Sequence, residues 1–98
     1  MQEVSIEINE KGPGALYIMD GNEKLGEMTV TKNEKQLTIN HTEVFATEGK
    51  GLGKLLLNEM VGYAREHHLK VVPLCTFVHE QFKRHPKLYT DVWQGDKA

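Results

Sequence analysis

Several things are scarce in this chain, and each shortage removes a class of function. There is one cysteine, Cys75, in 98 residues. A lone thiol makes no internal disulfide and is too little for a thiolate zinc site, which fits a reducing compartment. No apolar run approaches the roughly 20 residues of a membrane-spanning helix; the densest stretches are Leu55-Leu56-Leu57 and Val71 to Cys75. The opening Met1-Gln2-Glu3-Val4-Ser5-Ile6-Glu7 has neither the basic start nor the apolar centre of a secretory signal, so a cytoplasmic location is expected. Positive charge is not in excess either: 12 Lys and Arg against 14 Asp and Glu leave a net charge of −2. That lacks the dense basic face of a nucleic-acid binder. The one basic cluster, Lys83-Arg84-His85 with Lys87, lies near Glu80 and Asp91 and reads as solvated surface. His67-His68 close a helix, and His79 and His85 are not spaced as two ligands on one helix face, so no metal site is expected. The length suits a single domain over residues 1–98, monomeric or weakly dimeric.

What is present begins as a β-meander. Period-two alternation recurs in Val4 to Ile8, Ala15 to Met19, Leu25 to Thr31 and Gln36 to Phe45, divided by turn residues at Asn9 to Gly14, at Asp20-Gly21-Asn22 and at Lys32 to Lys35. Strict alternation in the fourth strand places Leu37, Ile39, His41 and Glu43 on one side, and Thr38, Asn40, Thr42 and Val44 on the other. His41 and Glu43 therefore break an otherwise apolar face. A glycine-rich turn, Glu48-Gly49-Lys50-Gly51-Leu52-Gly53, leads into the one strongly amphipathic helix. Its stripe is Leu52, Leu55, Leu56, Met60, Tyr63, Ala64 and His67. Leu69 to Cys75 reads as a fifth strand, Phe77 to His85 as a second helix stopped by Pro86, and Leu88 to Trp93 as a short ending, with Trp93 a core plug.

Strand, glycine turn, helix and strand in that order make the fourth and fifth strands parallel, joined by a right-handed crossover. The expected fold is α+β (mixed α/β), an antiparallel meander passing into a parallel pair. The glycine turn then sits at the carboxyl end of a parallel strand, where α/β sheets bind ligands. A helix amino terminus with no blocking side chains binds phosphate. Gly49, Gly51 and Gly53 remove such side chains, while Lys50 and Lys54 add positive charge. A P-loop is excluded because Leu55, not serine or threonine, follows Gly53-Lys54. The spacing also fails the G-x-G-x-x-G dinucleotide fingerprint.

In these motifs the chain resembles the GCN5-related N-acetyltransferase superfamily, and within it the minimal acetyltransferase-like proteins of about this length. The likeness lies in His41-Thr42-Glu43-Val44, in Gly49-Lys50-Gly51-Leu52-Gly53, in the helix Leu55 to Arg65, and in Pro73-Leu74-Cys75-Thr76-Phe77 with Arg84-His85-Pro86. Gly51 and Gly53 match the two small positions of the superfamily's Gln/Arg-x-x-Gly-x-Gly/Ala loop. The resemblance implies splayed fourth and fifth strands that admit the pantetheine arm of acetyl-CoA. It implies contacts from Val44, Phe45, Ala46, Cys75 and Phe77, and a pyrophosphate held over Glu48, Gly49, Lys50, Gly51, Leu52, Gly53 and Lys54. Glu48 departs from the family's glutamine or arginine and would repel a pyrophosphate. Phe82 stands where the family commonly has a proton-donating tyrosine. Tyr89 then substitutes, or Cys75 changes the chemistry, or no transfer occurs.

Cys75, at the end of the fifth strand, is the candidate acyl acceptor. His41 is the candidate base for Cys75 or for an incoming amine, and Glu43 a second base. The expected activity is acetyl transfer from acetyl-CoA to an amine acceptor, small molecule or protein. A CoA-holding module without turnover and a plain interaction domain are the alternatives.

Overall fold

The computed structural model describes residues 2–9, 12–45 and 51–95, with the backbone alone at residue 2. Four antiparallel strands follow one another: β1 (Gln2–Ile8), β2 (Gly12–Asp20), β3 (Glu23–Lys32) and β4 (Gln36–Val44). Then come helix α1 (Leu52–Glu66), strand β5 (Lys70–Pro73), helix α2 (Thr76–Arg84) and a single 3₁₀ turn over Pro86–Leu88. The sheet order is β1-β2-β3-β4-β5, and β5 pairs parallel to β4. This is the mixed sheet expected from the sequence, with two helices packed on it.

Boundaries moved where backbone pairing outweighed turn chemistry. Gly12-Pro13-Gly14, expected in a turn, belongs to β2 because Gly12 pairs with Lys32 and Gly14 with Ile8. β5 stops at Pro73 rather than Cys75. The amides of Leu74 and Cys75 both turn onto the Ile39 carbonyl, at 3.1 and 3.0 Å, and the chain enters α2.

One core unites the layers. Leu16 and Ile18 of β2, Met28 and Val30 of β3, and Leu37 and Ile39 of β4 pack with Leu56, Leu57, Met60 and Ala64 of α1 and Val78 and Phe82 of α2. The buried stripe of α1 takes in Leu57 and Val61 and leaves His67 exposed. It is therefore rotated from the expected one, toward the sheet residues it covers. Each fully buried Leu, Ile or Phe contributes about 1.5–3 kcal/mol, so this cluster dominates stability. Trp93 packs against its rim, with its ring centroid 5.5 Å from that of Phe82.

His67 and His68 end α1 as a Schellman motif: Leu69 N–H bonds Ala64 O at 2.8 Å, and His68 N–H bonds Arg65 O at 3.3 Å. His68 holds φ 57°, the left-handed region that glycine normally occupies.

Candidate active site

The site depends on one irregularity in β4. Thr29 pairs with His41 and Val30 with Ile39, so Asn40 is an extra residue, a β-bulge. Its side-chain amide donates to Thr31 Oγ1 at 2.9 Å, which fixes the bulge to β3. A bulge shifts the two-residue alternation by one, and the faces expected from strict alternation are therefore corrected. Thr42 pairs with fully buried Met28, and cross-strand partners share a face. Thr42 and Val44 thus continue the inward face of Leu37 and Ile39. His41 and Glu43 lie on the opposite face, 3.3 Å apart (His41 Nε2 to Glu43 Oε1) and 66% and 55% exposed.

The same bulge marks where the parallel pair parts. β4 and β5 run together from Gln36 and Lys70 to Ile39 and Pro73, after which β4 continues to Val44 and β5 has ended. Across the opening, the Cys75 thiol donates to Thr42 Oγ1 at 3.3 Å. Cys75 is 7% exposed and belongs to the core cluster. The sequence placed His41 and Cys75 as partners, but the structure does not bring them together, because the bulge turns His41 to the other side of the sheet. Thr42 is the side chain that meets the thiol.

A groove of about 570 Å³ runs outward from this opening. Thr42 and Val44 line it from β4; Gly51, Gly53 and Lys54 from the start of α1; Phe77, Gln81, Arg84 and His85 from α2 and its end. Gly51 is the N-cap of α1 at φ 82°, and among the described residues no side chain caps the helix and none in its first turn is acidic. The first helical bond runs from Leu55 N–H to Gly51 O at 2.9 Å, so the N–H groups of Leu52, Gly53 and Lys54 have no acceptor within the helix. Gly53 meets the ring of Phe77 so closely that a Cβ there would stand 3.0 Å from Phe77 Cζ. Among the described residues, the unpaired N–H groups of this helix start suit the pyrophosphate of a CoA molecule, and the end at Thr42, Val44 and Phe77 suits a neutral arm.

Of the residues expected to hold the cofactor, Val44, Gly51, Gly53, Lys54 and Phe77 line the groove, and Cys75 closes its inner end through Thr42. Leu52 buries its side chain and offers only its backbone. The Phe45 amide is already bonded to Leu25 O at 2.8 Å, and its side chain is exposed. Ala46, Glu48, Gly49 and Lys50 lie outside the described residues.

Sequence reasoning missed Thr42, Gln81, Arg84 and His85. The parity argument turned Thr42 outward. Arg84 and His85, although within a matching motif, read as surface because nothing in the sequence says which side of α2 meets α1. Phe82 is fully buried, and Tyr89 is 5% exposed with its ring 4.5 Å from Phe82. Neither stands at the groove.

A second depression, of about 620 Å³, lies at the far end of β4 and is lined by Asn33, Glu34, Lys35, Gln36, Lys70 and Gln94. It mixes charges of both signs and has no helix terminus. Among the described residues, no group of three or more His, Cys, Asp or Glu gathers as a metal site.

The segment after α2 is tied down from α1. Arg65 Nε donates to Asp91 Oδ2 at 2.7 Å, and Arg65 Nη2 donates to Asp91 Oδ1 at 3.3 Å and to the Leu88 carbonyl at 2.6 Å. The hydrogen bond to Asp91 raises the Arg65 pKa above its ordinary value, and the same bond holds Asp91 below the usual carboxylate range.

The strand pair that parts at a bulge and the glycine-bearing helix start at its opening both lie within the stretch that a family model matches. The family model described as GCN5-related N-acetyl-transferase matches residues 15–92, and the chain belongs to that family. No curated protein matches it.

Proposed function

We propose that this protein binds acetyl-CoA in the α1–α2 groove and passes its acetyl group to an amine. Membership of an acetyltransferase family gives the reaction class. The observation that carries the reading is the polarity of the groove. Its inner end is neutral, made by Thr42, Val44 and Phe77, whereas its outer end carries Lys54, Arg84 and His85 with no carboxylate among the described lining residues. That is the charge order of a CoA thioester, a neutral arm followed by phosphates.

Acetyl-CoA supplies an activated acetyl group. In this reading Thr42 orients the Cys75 thiol toward the opening. A thioester exchange there forms the S–acetyl bond at Cys75, and the thiol proton leaves with the departing CoA sulfur. An amine reaching the opening from the other face of the sheet meets His41 and Glu43, which accept its proton. Its nitrogen then takes the acetyl group, and the Cys75 thiol is restored.

The separation of His41 from Cys75 and the burial of Tyr89 favour a second reading, a CoA-holding module without turnover. Intact mass after incubation with acetyl-CoA separates the two. A single acetyl mass on the wild type, removed by hydroxylamine at neutral pH and absent from Cys75→Ala, supports the relay. No modification between pH 6 and 9 refutes it. Turnover of an amine mixture by Cys75→Ala then decides between direct transfer and binding alone. Among the described residues, no helix is long and apolar enough to cross a membrane. We place the activity in the cytoplasm on the strength of the single, unpaired cysteine.

A further inference from the structure

The two edges of the sheet are finished differently. β5 is four residues long and ends on Pro73, which has no N–H to offer a neighbour. Its outer side is also covered, because Val71 N–H donates to Val92 O at 2.6 Å, and the covering segment is pinned by Lys70 Nζ on Asp91 O at 2.7 Å. β1 has none of these devices. It runs seven residues without proline, lysine or bulge and keeps one register with β2, from Gln2 opposite Asp20 to Ile8 opposite Gly14. Among the described residues, no backbone group outside β2 bonds to it. An edge of that length without cover is a template for another strand.

We propose that this edge joins two copies of the chain, β1 antiparallel to β1 about a twofold axis at Ile6, so that the two sheets become one. The inference does not depend on the acyl-CoA reading. Val4 and Ile6 pair with the fully buried Ile18 and Leu16, and cross-strand partners share a face, so both point to the helical side of the sheet. The helices do not reach far enough to cover them: Ile6 stays 38% exposed, and Val4 and Ile8 are only partly buried. Glu3, Ser5 and Glu7 alternate with them and lie exposed on the open side. A second copy brings the same apolar stripe to the same side.

The carboxylates choose the register. A twofold axis normal to the sheet keeps each face continuous, so the axis must fall on a residue of β1. Placed at Ser5, it sets Glu3 against the second copy's Glu7 twice; placed at Glu3 or Glu7, it sets that residue against itself. Like charges directly opposite are destabilising. Placed at Val4, it puts Ile6 opposite Gln2 and leaves Ile8 beyond the pairing. Placed at Ile6, it sets Ile6 against itself and Val4 against Ile8 on the helical side, with Ser5 opposite Glu7 and Glu3 opposite Asn9 on the open side. No carboxylate then directly opposes another, and the apolar positions all pair. β2 and β3 separate β1 from β4, so the junction leaves the α1–α2 groove and the β4–β5 opening uncovered. One strand pair buries less than the roughly 1,200 Å² of a standard interface. The dimer is therefore weak, half-dissociated at about 100 µM.

Sedimentation velocity of the full chain between about 10 µM and about 1 mM reads the association, and the mass should rise from 11.2 kDa toward twice that value. Ile6→Lys sets like charges against each other at the axis and should weaken the dimer at least about tenfold. Its melting temperature verifies that it is folded, as expected for an exposed position. Single cysteines read the register independently. In a Cys75→Ala background, Val4→Cys, Ser5→Cys and Ile6→Cys are each oxidised with copper phenanthroline. A residue on the axis meets its own copy at about 5 Å between Cα atoms, within disulfide reach. Ile6→Cys should therefore cross-link at least about tenfold faster than the other two. A chain that stays monomeric at the highest concentration overturns the inference and leaves the edge to a strand of another protein. A dimer that survives Ile6→Lys, or cross-linking led by Val4→Cys or Ser5→Cys, overturns it as well.

Discussion

Replacing Gly53 by alanine puts a methyl group where the ring of Phe77 now lies. A Cβ built at Gly53 stands 3.0 Å from Phe77 Cζ and 3.4 and 3.5 Å from Cε2 and Cε1. The 3.0 Å contact is too tight for a methyl group, and the ring is the part free to give way, since Phe77 is only half-buried and lines the groove. Its direction of escape is toward the groove that separates it from Thr42 and Val44. The fold itself should lose little. The strain of a displaced ring, about 1 kcal/mol, is offset by the helix propensity that alanine gains over glycine, up to about 1 kcal/mol. Stability should therefore stay within about 1 kcal/mol of wild type, whereas CoA affinity falls about tenfold or more as the groove narrows.

Gly51 makes the contrast. Its φ of 82° lies in the left-handed region, and a Cβ there meets no atom within 4 Å. Gly51→Ala should cost about 1 kcal/mol of stability through backbone strain, a fall of about 4–8 °C in melting temperature. Denaturant melts and calorimetric titration of both variants read the two quantities separately. The decisive arm is the double variant Gly53→Ala with Phe77→Leu, in which a smaller side chain gives the methyl room. Affinity should recover relative to Gly53→Ala alone. If it does not, the methyl group itself blocks the ligand, and the argument through Phe77 is refuted.

Thr42→Val removes the acceptor of the Cys75 thiol at constant shape and should slow acetyl transfer to Cys75 at least several-fold while leaving CoA affinity unchanged; single-turnover mass spectrometry measures this. His68→Gly relieves the left-handed strain at the end of α1 and should raise stability by about 0.5–1 kcal/mol, read as a shifted urea midpoint at constant slope. The Arg65–Asp91 pair is half-exposed on both sides, so solvent screening limits it to about 0.5–1 kcal/mol. Asp91 has a lowered folded pKa, so this stability is fully present above the ordinary aspartate range near pH 4 and is lost as pH falls through the lowered value. Asp91→Asn should be less stable than wild type at pH 7, and the gap should close toward pH 2; a gap that stays constant with pH would contradict the assignment.

Much of the fold was legible because its signals are local. Period-two alternation identified the first four strands, the leucine spacing identified α1, and the β4–α1–β5 order required the parallel pair. The site was less legible, and β4 explains why. Nothing in Gln36 to Val44 announces a bulge, because Asn40 is as acceptable in a regular exposed strand as in an irregular one. A single inserted residue reverses everything downstream, so counting in twos assigned Leu37 and Ile39 correctly and His41 and Thr42 wrongly. Arg84 and His85 failed for a different reason. Their place in the groove depends on how α2 lies beside α1, where Gly53 meets Phe77, a relation between residues 24 positions apart.

The bulge has a consequence for how so small a domain could run a two-substrate reaction. With both helices feeding one core on one side of the sheet, the groove proposed for CoA occupies the helical side, and there is little wall left there for a second ligand. Regular alternation would have sent His41 and Glu43 into that same space, among the core residues, where two ionisable groups would be costly to bury. The extra residue at Asn40 keeps them in solvent on the open side while Thr42 takes the inward position beside Cys75. The His41–Glu43 pair and the Cys75 thiol thus flank the opening between β4 and β5 from opposite faces. An acceptor approaching the His41 side would need no pocket in the helical layer. Its selectivity would then come from the open β-sheet face, and a broad range of amines is the expected behaviour of such a surface.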